Sequence, residues 1–385
     1  MVWFLGILVR RDVMSIFVDH DYKTSLGTGF YDRVEELGKL DELTRSSKVI
    51  VVYGPRNVGK SELARYWIHR RRLTTVRVNA RLLRARSLLE SMGIGYVEVQ
   101  AGDSIRALTQ EALAHLGVGA GVMDLVLGIA LKVAKAVKGG RLLIFIDEFH
   151  ELPKYKSEHP RSKYEVALED LRSLAALILK DSVFENVNLL LTVSEGFIAT
   201  DFARSELEGY SVDWMLVKHI DEIHFRTLYR EYSERRGCSL GEDEILGLVG
   251  GSPGHLAELC PLDKNGLKRR LRAWIQEVET ALSRARNILG QEMRREVDPL
   301  EVITIASKLM EKPMKPLEDP IAYNVGQILT TYNIVYPEWS EEGIHYRPQY
   351  PVYKVILDIA LEKNVSSLLE LNAYEVYERA LRLTE

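Results

Sequence analysis

A continuous apolar run, Val49-Ile50-Val51-Val52-Tyr53, stops at Gly54 and leads into Pro55-Arg56-Asn57-Val58-Gly59-Lys60-Ser61. This is the pattern GxxxxGK[ST] set between a strand and a helix, the context in which it makes a phosphate-binding loop. Glycines let successive N–H groups face inward as an anion nest, and the N-terminus of the following helix adds the positive end of its dipole. Lys60 is suited to bridge the β- and γ-phosphates, and Ser61 to place a small hydroxyl on Mg²⁺. Gly54 through Ser61, with Glu62 in the first helical turn, are therefore the expected cofactor contacts. A run that is apolar at every position predicts a parallel strand covered on both sides. The expected fold is thus an α/β P-loop NTPase core, a parallel sheet with helices on both faces.

Periodicity extends this alternation. Leu37, Leu40 and Leu43 predict a helix over 34–45, and a second helix over 61–72 follows the loop. Strands are expected at 74–78, 142–146 and 187–193, a buried helix at 123–137 and another helix at 164–180. Beyond about 215 the apolar strand runs stop. Residues 220–290 are helical by period, 299–363 read as helix, helix and two short strands around Gly343, and 366–383 make a last helix. The expected division is an N-terminal segment 1–29, a core 30–215, a helical lid 216–295, a C-terminal module 296–365 and a final helix 366–385.

A phosphate loop with Mg²⁺ needs a carboxylate at the end of a neighbouring strand. Leu142-Leu-Ile-Phe-Ile146 runs into Asp147-Glu148. Asp147 is expected in the second shell of Mg²⁺. Glu148 is placed to accept a proton from attacking water, which points to hydrolysis rather than binding alone. The next apolar strand ends in Thr192 and Ser194, whose hydroxyls either sense the γ-phosphate and the water or simply cap the strand.

Net charge is −4, from 51 Lys+Arg against 55 Asp+Glu, so no global field draws the chain to nucleic acid or an anionic membrane. The apolar start, Met1 to Val9, is too short to span a bilayer. Cys238 and Cys260 form no CxxC or Cys/His cluster, which predicts two separate buried thiols and a reducing, cytoplasmic setting. Asp19-His20-Asp21, His219 and His224 lack a third ligand at metal spacing, so no transition-metal site is expected.

With Tyr31-Asp32-Arg33 and Glu36-Leu37 before the loop, and Gly250-Gly251-Ser252-Pro253 after it, the chain resembles the archaeal P-loop ATPases of the STAND and AAA+-like group. The resemblance spans about 30–365. It implies ATP or ADP with Mg²⁺ as cofactors, nucleotide contacts from Arg33 and Pro253, and a winged helix after the lid. Relatives often carry a Gly-Arg pair between the sensor strand and the lid, where this chain has Gly209-Tyr210. Turnover is therefore expected to be slow, or to need an arginine from Arg204 or from another protomer.

Asp319-Pro320 starts a helix, and strands at 334–337 and 344–347 flank Glu342-Gly343, giving helix plus wing. Yet no Lys or Arg occurs from Pro316 through Tyr346, whereas Glu318, Asp319, Glu338, Glu341 and Glu342 are acidic. Without phosphate partners such a module is a poor DNA reader. Basic clusters lie elsewhere, at Lys268-Arg269-Arg270 with Arg272, and at Arg65 to Arg86, the better surface for DNA or an acidic partner. Two functions follow: a MgATP switch whose lid and wing expose a site for a protein partner or a second copy, or a DNA-binding ATPase resembling archaeal replication initiators.

Overall fold

In the computed structural model, residues 17–80, 97–100, 141–151, 160–180, 182–194, 207 and 209–384 are described. The apolar start Met1 to Val9, the helix expected at 123–137, Arg204 and residues 81–96 lie outside them. The chain opens with a short antiparallel ribbon, β1 (Val18–Asp19) against β2 (Phe30–Tyr31). Then follow α1 (Val34–Ser46), β3 (Val49–Tyr53), α2 (Lys60–Arg71), β4 (Thr74–Asn79), β5 (Val97–Gln100) and β6 (Leu142–Asp147). After these come α3 (Pro160–Lys180), β7 (Val187–Thr192) and β8 (Val212–Leu216).

The sheet order is β5-β4-β6-β7-β3-β8. β5 is antiparallel to β4, and the other five strands run parallel. One point differs from the sequence expectation: the Asp147 strand is not next to the loop strand. β7 lies between them, pairing with β3 on one side and β6 on the other. Chain order alone could not reveal this, because a parallel crossover can skip a position.

Burial on both faces follows from the apolar runs. Ile50, Val52, Leu143, Phe145 and Leu190 pack with Leu37 and Leu40 of α1 and Leu63, Ala64 and Trp67 of α2. The alternate residues, Val49, Val51, Ile144, Ile146, Leu189 and Leu191, point the other way and are as fully buried. β8 (Val-Asp-Trp-Met-Leu) is an edge strand with only Met215 buried, so it lacks the unbroken apolar signature of the inner strands.

Beyond β8 run α4 (Glu222–Arg236), α5 (Glu242–Val249), α6 (Pro253–Leu259) and the long α7 (Lys264–Met293). α8 (Pro299–Leu309), α9 (Pro320–Thr331), the hairpin β9 (Val335–Ser340) and β10 (Gly343–Pro348), α10 (Pro351–Lys363) and α11 (Ala373–Leu381) complete the chain. α8, α9 and the hairpin follow the expected order of helix, helix and two short strands, with no helix among residues 310–319. α10 was not expected, and the last helix is shorter than 366–383. α7 holds Leu267, Leu271, Trp274, Val278, Leu282, Ala285 and Leu289 on one stripe, and α8, α9, α10 and α11 pack on it. Lid and C-terminal module therefore share one core, which continues to Tyr31 and Ile220 at the edge of the sheet.

A correction concerns the cysteines. Gly237 turns the chain at the end of α4 (φ 70°) and brings Cys238 alongside Cys260 after α6, with Cα atoms 4.6 Å apart. The two form a disulfide rather than separate thiols. A separation of 22 residues gave no sign of this, since the return of the chain depends on how α4 and α6 pack.

Candidate nucleotide site

The carboxyl ends of β3, β6 and β7 meet the start of α2 around a cavity of about 240 Å³. Gly54 has φ 140°, and a Cβ there would overlap the Val217 carbonyl, so the loop can turn under the end of β8 only with glycine. Gly59, the N-cap of α2 with φ 95°, faces open space. Lys60 is buried; its ammonium donates to the carbonyls of Gly54 (2.9 Å) and Pro55 (2.6 Å). Arg33, also buried, donates to the Val58 carbonyl (2.9 Å) and to Glu36 (2.8 Å), so it braces the loop from below as well as lining the cavity.

The carboxylates converge on the same place. Asp147 Oδ1 accepts from Ser61 Oγ (2.5 Å) and from Thr192 Oγ1 (2.7 Å). Arg77 and Arg65 approach its Oδ2 at 3.4 and 3.9 Å. Glu148 adopts a left-handed conformation, φ 56°, and its N–H donates to Thr192 Oγ1 (2.9 Å). Its Oε1 accepts from Ser194 Oγ (3.0 Å), and His150 Nε2 lies 3.3 Å from Oε2. The Thr192 hydroxyl thus holds the Asp147–Glu148 turn, whereas Ser194 and Glu148 reach the cavity wall. A hydroxyl and a carboxylate 2.5 Å apart, with open loop backbone beside them, are hard oxygen donors suited to Mg²⁺ and a phosphate chain. The site fits both.

The helical segment expected to form a lid borders one side. Pro253 and Gly254, at the start of α6, line the cavity; the Gly254 N–H (2.9 Å) and Ser252 Oγ (3.2 Å) both donate to the carbonyl of Asn57. A Cβ on Gly254 would lie 2.7 Å from that of Asn57, so the contact is as close as backbone allows. His219, after β8, packs beneath Gly250 and beside Tyr336 of the hairpin. Burial, helped by the charges of Arg33 and Lys60, lowers its pKa to about 4 and keeps it neutral. Lys218 pairs with Glu338 of β9, which also accepts from Arg347 (2.9 Å), so the hairpin is tied to the end of β8.

Arg56, expected among the nucleotide contacts, does not line this cavity. It faces a second one of about 500 Å³, with Asn57, His255 and Arg270 on one side and Tyr332, Tyr350 and Tyr353 on the other. Glu62 lines the nucleotide cavity but is engaged by the Tyr22 hydroxyl (2.8 Å), the Ser25 N–H (3.2 Å) and Arg65 (3.5 Å). Burial and the neighbouring Glu62 push the Tyr22 phenol well above its usual range. The wall formed by Thr24 to Phe30 was not anticipated from the sequence, and Arg65 and Arg77, expected as part of a basic surface, stand beside Asp147. The pair Phe30-Tyr31 directly before Asp32-Arg33 was the available signal, since two adjacent aromatics there imply a strand docked on the core. His224 does have two carboxylates nearby, Asp32 and Asp221, with ligand atoms within 4.8 Å. Its Nε2, however, accepts the Phe17 N–H (3.1 Å) and its Nδ1 hydrogen-bonds Asp221, so both ring nitrogens are used.

Residues 30–259 match a family described as an ATPase domain predominantly from Archaea. The chain belongs to that family. No curated protein matches the sequence. Among solved structures, the chain is similar to the Walker-type ATPase of Pyrococcus abyssi, at 20% identity and a TM-score of 0.48, over 86% of this chain and 96% of that one. It is also similar to the Aeropyrum pernix ORC2 protein in ADPNP–ADP complexes, at 13% and 0.37 over 91% and 94% of the two chains. The third is the Aeropyrum pernix ORC1 protein in complex with DNA, at 14% and 0.37 over 86% and 92%. Likeness at this level assigns no function. Among the described residues, no helix is long and apolar enough to cross a membrane.

Proposed function

We propose that this archaeal-type P-loop ATPase binds and hydrolyses MgATP and uses the nucleotide state to set the position of its lid and C-terminal module for a partner. The observation that carries the reading is the junction at one cavity of Lys60, Ser61 with Asp147, Glu148, and the lid residues Pro253 and Gly254. In this reading the N–H groups of 54–61 and Lys60 cradle the phosphates, and Ser61 with Asp147 holds Mg²⁺ and its water shell. Mg²⁺, when bound, neutralises charge on the phosphate oxygens. Glu148 accepts a proton from the water as its oxygen bonds to the γ-phosphorus; the β–γ bridge then breaks and ADP keeps the electron pair. Ser194 and His150 fix the direction of the Glu148 carboxylate.

Coupling runs through Asn57, whose peptide belongs to the phosphate loop while its carbonyl is held by the lid. Because the lid shares its core with the C-terminal module, the two respond as one body. A protein partner or a second copy is favoured over duplex DNA by the acidic stretch from Pro316 to Tyr346. Within the Arg65–Arg86 surface, Arg71 pairs with Asp41 and Arg77 with Asp147, which reduces the charge left for phosphates.

The test is nucleotide titration and phosphate release, with and without duplex DNA at moderate salt. Lys60→Ala is expected to lose binding, and Glu148→Gln to bind while losing turnover. Unchanged binding by the first would remove the nucleotide site from its assigned place. Unchanged turnover by the second would remove Glu148 as base, and strong stimulation by DNA would favour the initiator-like function.

A further inference from the structure

The transferring phosphoryl group gains negative charge that Mg²⁺ and Lys60 share, and P-loop enzymes commonly add an arginine. Two guanidiniums stand near Asp147, and their surroundings differ. Arg77, on β4, donates to Oδ2 at 3.4 Å and does not line the nucleotide cavity. Arg65 lies four residues after Ser61, on the same face of α2, and does line it. Its guanidinium is 3.5 Å from Glu62 and 3.9 Å from Asp147, within ion-pair range but beyond a good hydrogen bond. Its Nε is buried without a hydrogen-bond partner. Arg65 is therefore a cation held near the Ser61–Asp147 pair by attraction alone, with a donor unspent and anions expected within reach.

We propose that Arg65 is the chain's own γ-phosphate arginine: a cation in cis that leaves Asp147 to Mg²⁺ and turns its unspent donors to the terminal phosphate. The proposal rests on the MgATP reading above. It makes an arginine from another protomer unnecessary, and gives Arg77 the separate task of backing Asp147 from outside the cavity. Arg65 would touch the substrate, and Arg77 would act only through the carboxylate.

The experiment compares Arg65→Ala, Arg65→Lys and Arg77→Ala with the wild type, reading ATP and ADP affinity separately by calorimetry with and without Mg²⁺. Single-turnover phosphate release is followed at several protein concentrations. For Arg65→Ala, ATP affinity is expected to fall about tenfold while ADP affinity stays within about twofold. Phosphate release is expected to fall roughly 100-fold or more, with partial rescue by lysine. Wild-type rate per protomer is expected to be independent of protein concentration. Equal loss of ATP and ADP affinity would reduce Arg65 to a support for Glu62 and Asp147, and so overturn the proposal. The same ATP-selective loss in Arg77→Ala, or a rate that rises with concentration, would also overturn it. If the wild type bound neither nucleotide, the MgATP reading itself would fail, a result distinct from any ATP-to-ADP ratio.

Discussion

Replacing Thr192 by Val keeps the shape of a side chain with no solvent exposure and removes one hydroxyl. That hydroxyl donates to Asp147 Oδ1 at 2.7 Å and accepts the Glu148 N–H at 2.9 Å. Losing a hydrogen bond to a charged acceptor costs about 1.5–3 kcal/mol, and leaving a buried N–H unpaired costs about 1–3 kcal/mol. Burying a methyl instead returns about 1 kcal/mol. The net loss expected is about 3 kcal/mol, concentrated at the turn that carries Asp147 and Glu148. Thr192→Ser keeps both bonds and is expected to lose far less. Urea unfolding gives the global change, hydrogen exchange at Glu148 to Glu151 gives the local one, and nucleotide titration with and without Mg²⁺ gives the effect on the site. The Val variant is expected to show reduced enhancement of binding by Mg²⁺. If it unfolded within about 0.5 kcal/mol of the wild type with the same exchange pattern, the Thr192 hydroxyl would not be holding the turn.

Other expectations follow from the lid and its surroundings. Gly254→Ala forces Asn57 and the lid apart and is expected to weaken nucleotide binding roughly tenfold, about the net worth of one hydrogen bond, with the fold retained by circular dichroism; unchanged affinity would disconnect the lid from the loop. His219 titrates near 4 when folded against about 6.5 when unfolded, so the unfolded chain binds more protons in between. Stability is then complete above about pH 6.5 and falls as pH drops toward 4, by about 3 kcal/mol in all, and His219→Gln is expected to remove that part of the slope in urea midpoints. His255, brought to about 3 by burial and by the charges of Arg270, His219 and Arg56, acts in the same direction. Opening the Cys238–Cys260 link frees a 22-residue separation and is expected to cost about 3 kcal/mol, read by unfolding with and without reductant or in Cys260→Ser.

What could be read from the sequence was what local chemistry dictates. The loop from Gly54 to Ser61 and the strand ending in Asp147-Glu148 announce themselves because glycine, small hydroxyls and carboxylates are required at fixed offsets from apolar runs, whereas the turn before Pro253 was legible only through the family resemblance. What could not be read depends on how distant segments meet. Nothing in the order of the strands puts β7 between β3 and β6, so the grip of Thr192 on Asp147 was invisible. Arg65 looked like one of a row of surface arginines, because only packing decides which of them turns inward. The disulfide escaped for the same reason. The ribbon at 18–31 was hidden by its brevity, two residues per strand, although its loop walls the cavity.

The Asn57 carbonyl has one further consequence. A single peptide group presents its loop to one body and its oxygen to another, so in the proposed switch displacement of the lid and occupation of the loop would be linked equilibria. Whatever factor a nucleotide applies to the lid's grip on Asn57, a molecule pulling on the lid must apply the same factor to nucleotide affinity. A partner could then eject or retain nucleotide without approaching the cavity. The size of that effect would be bounded by the few hydrogen bonds at this junction, on the order of tenfold for each.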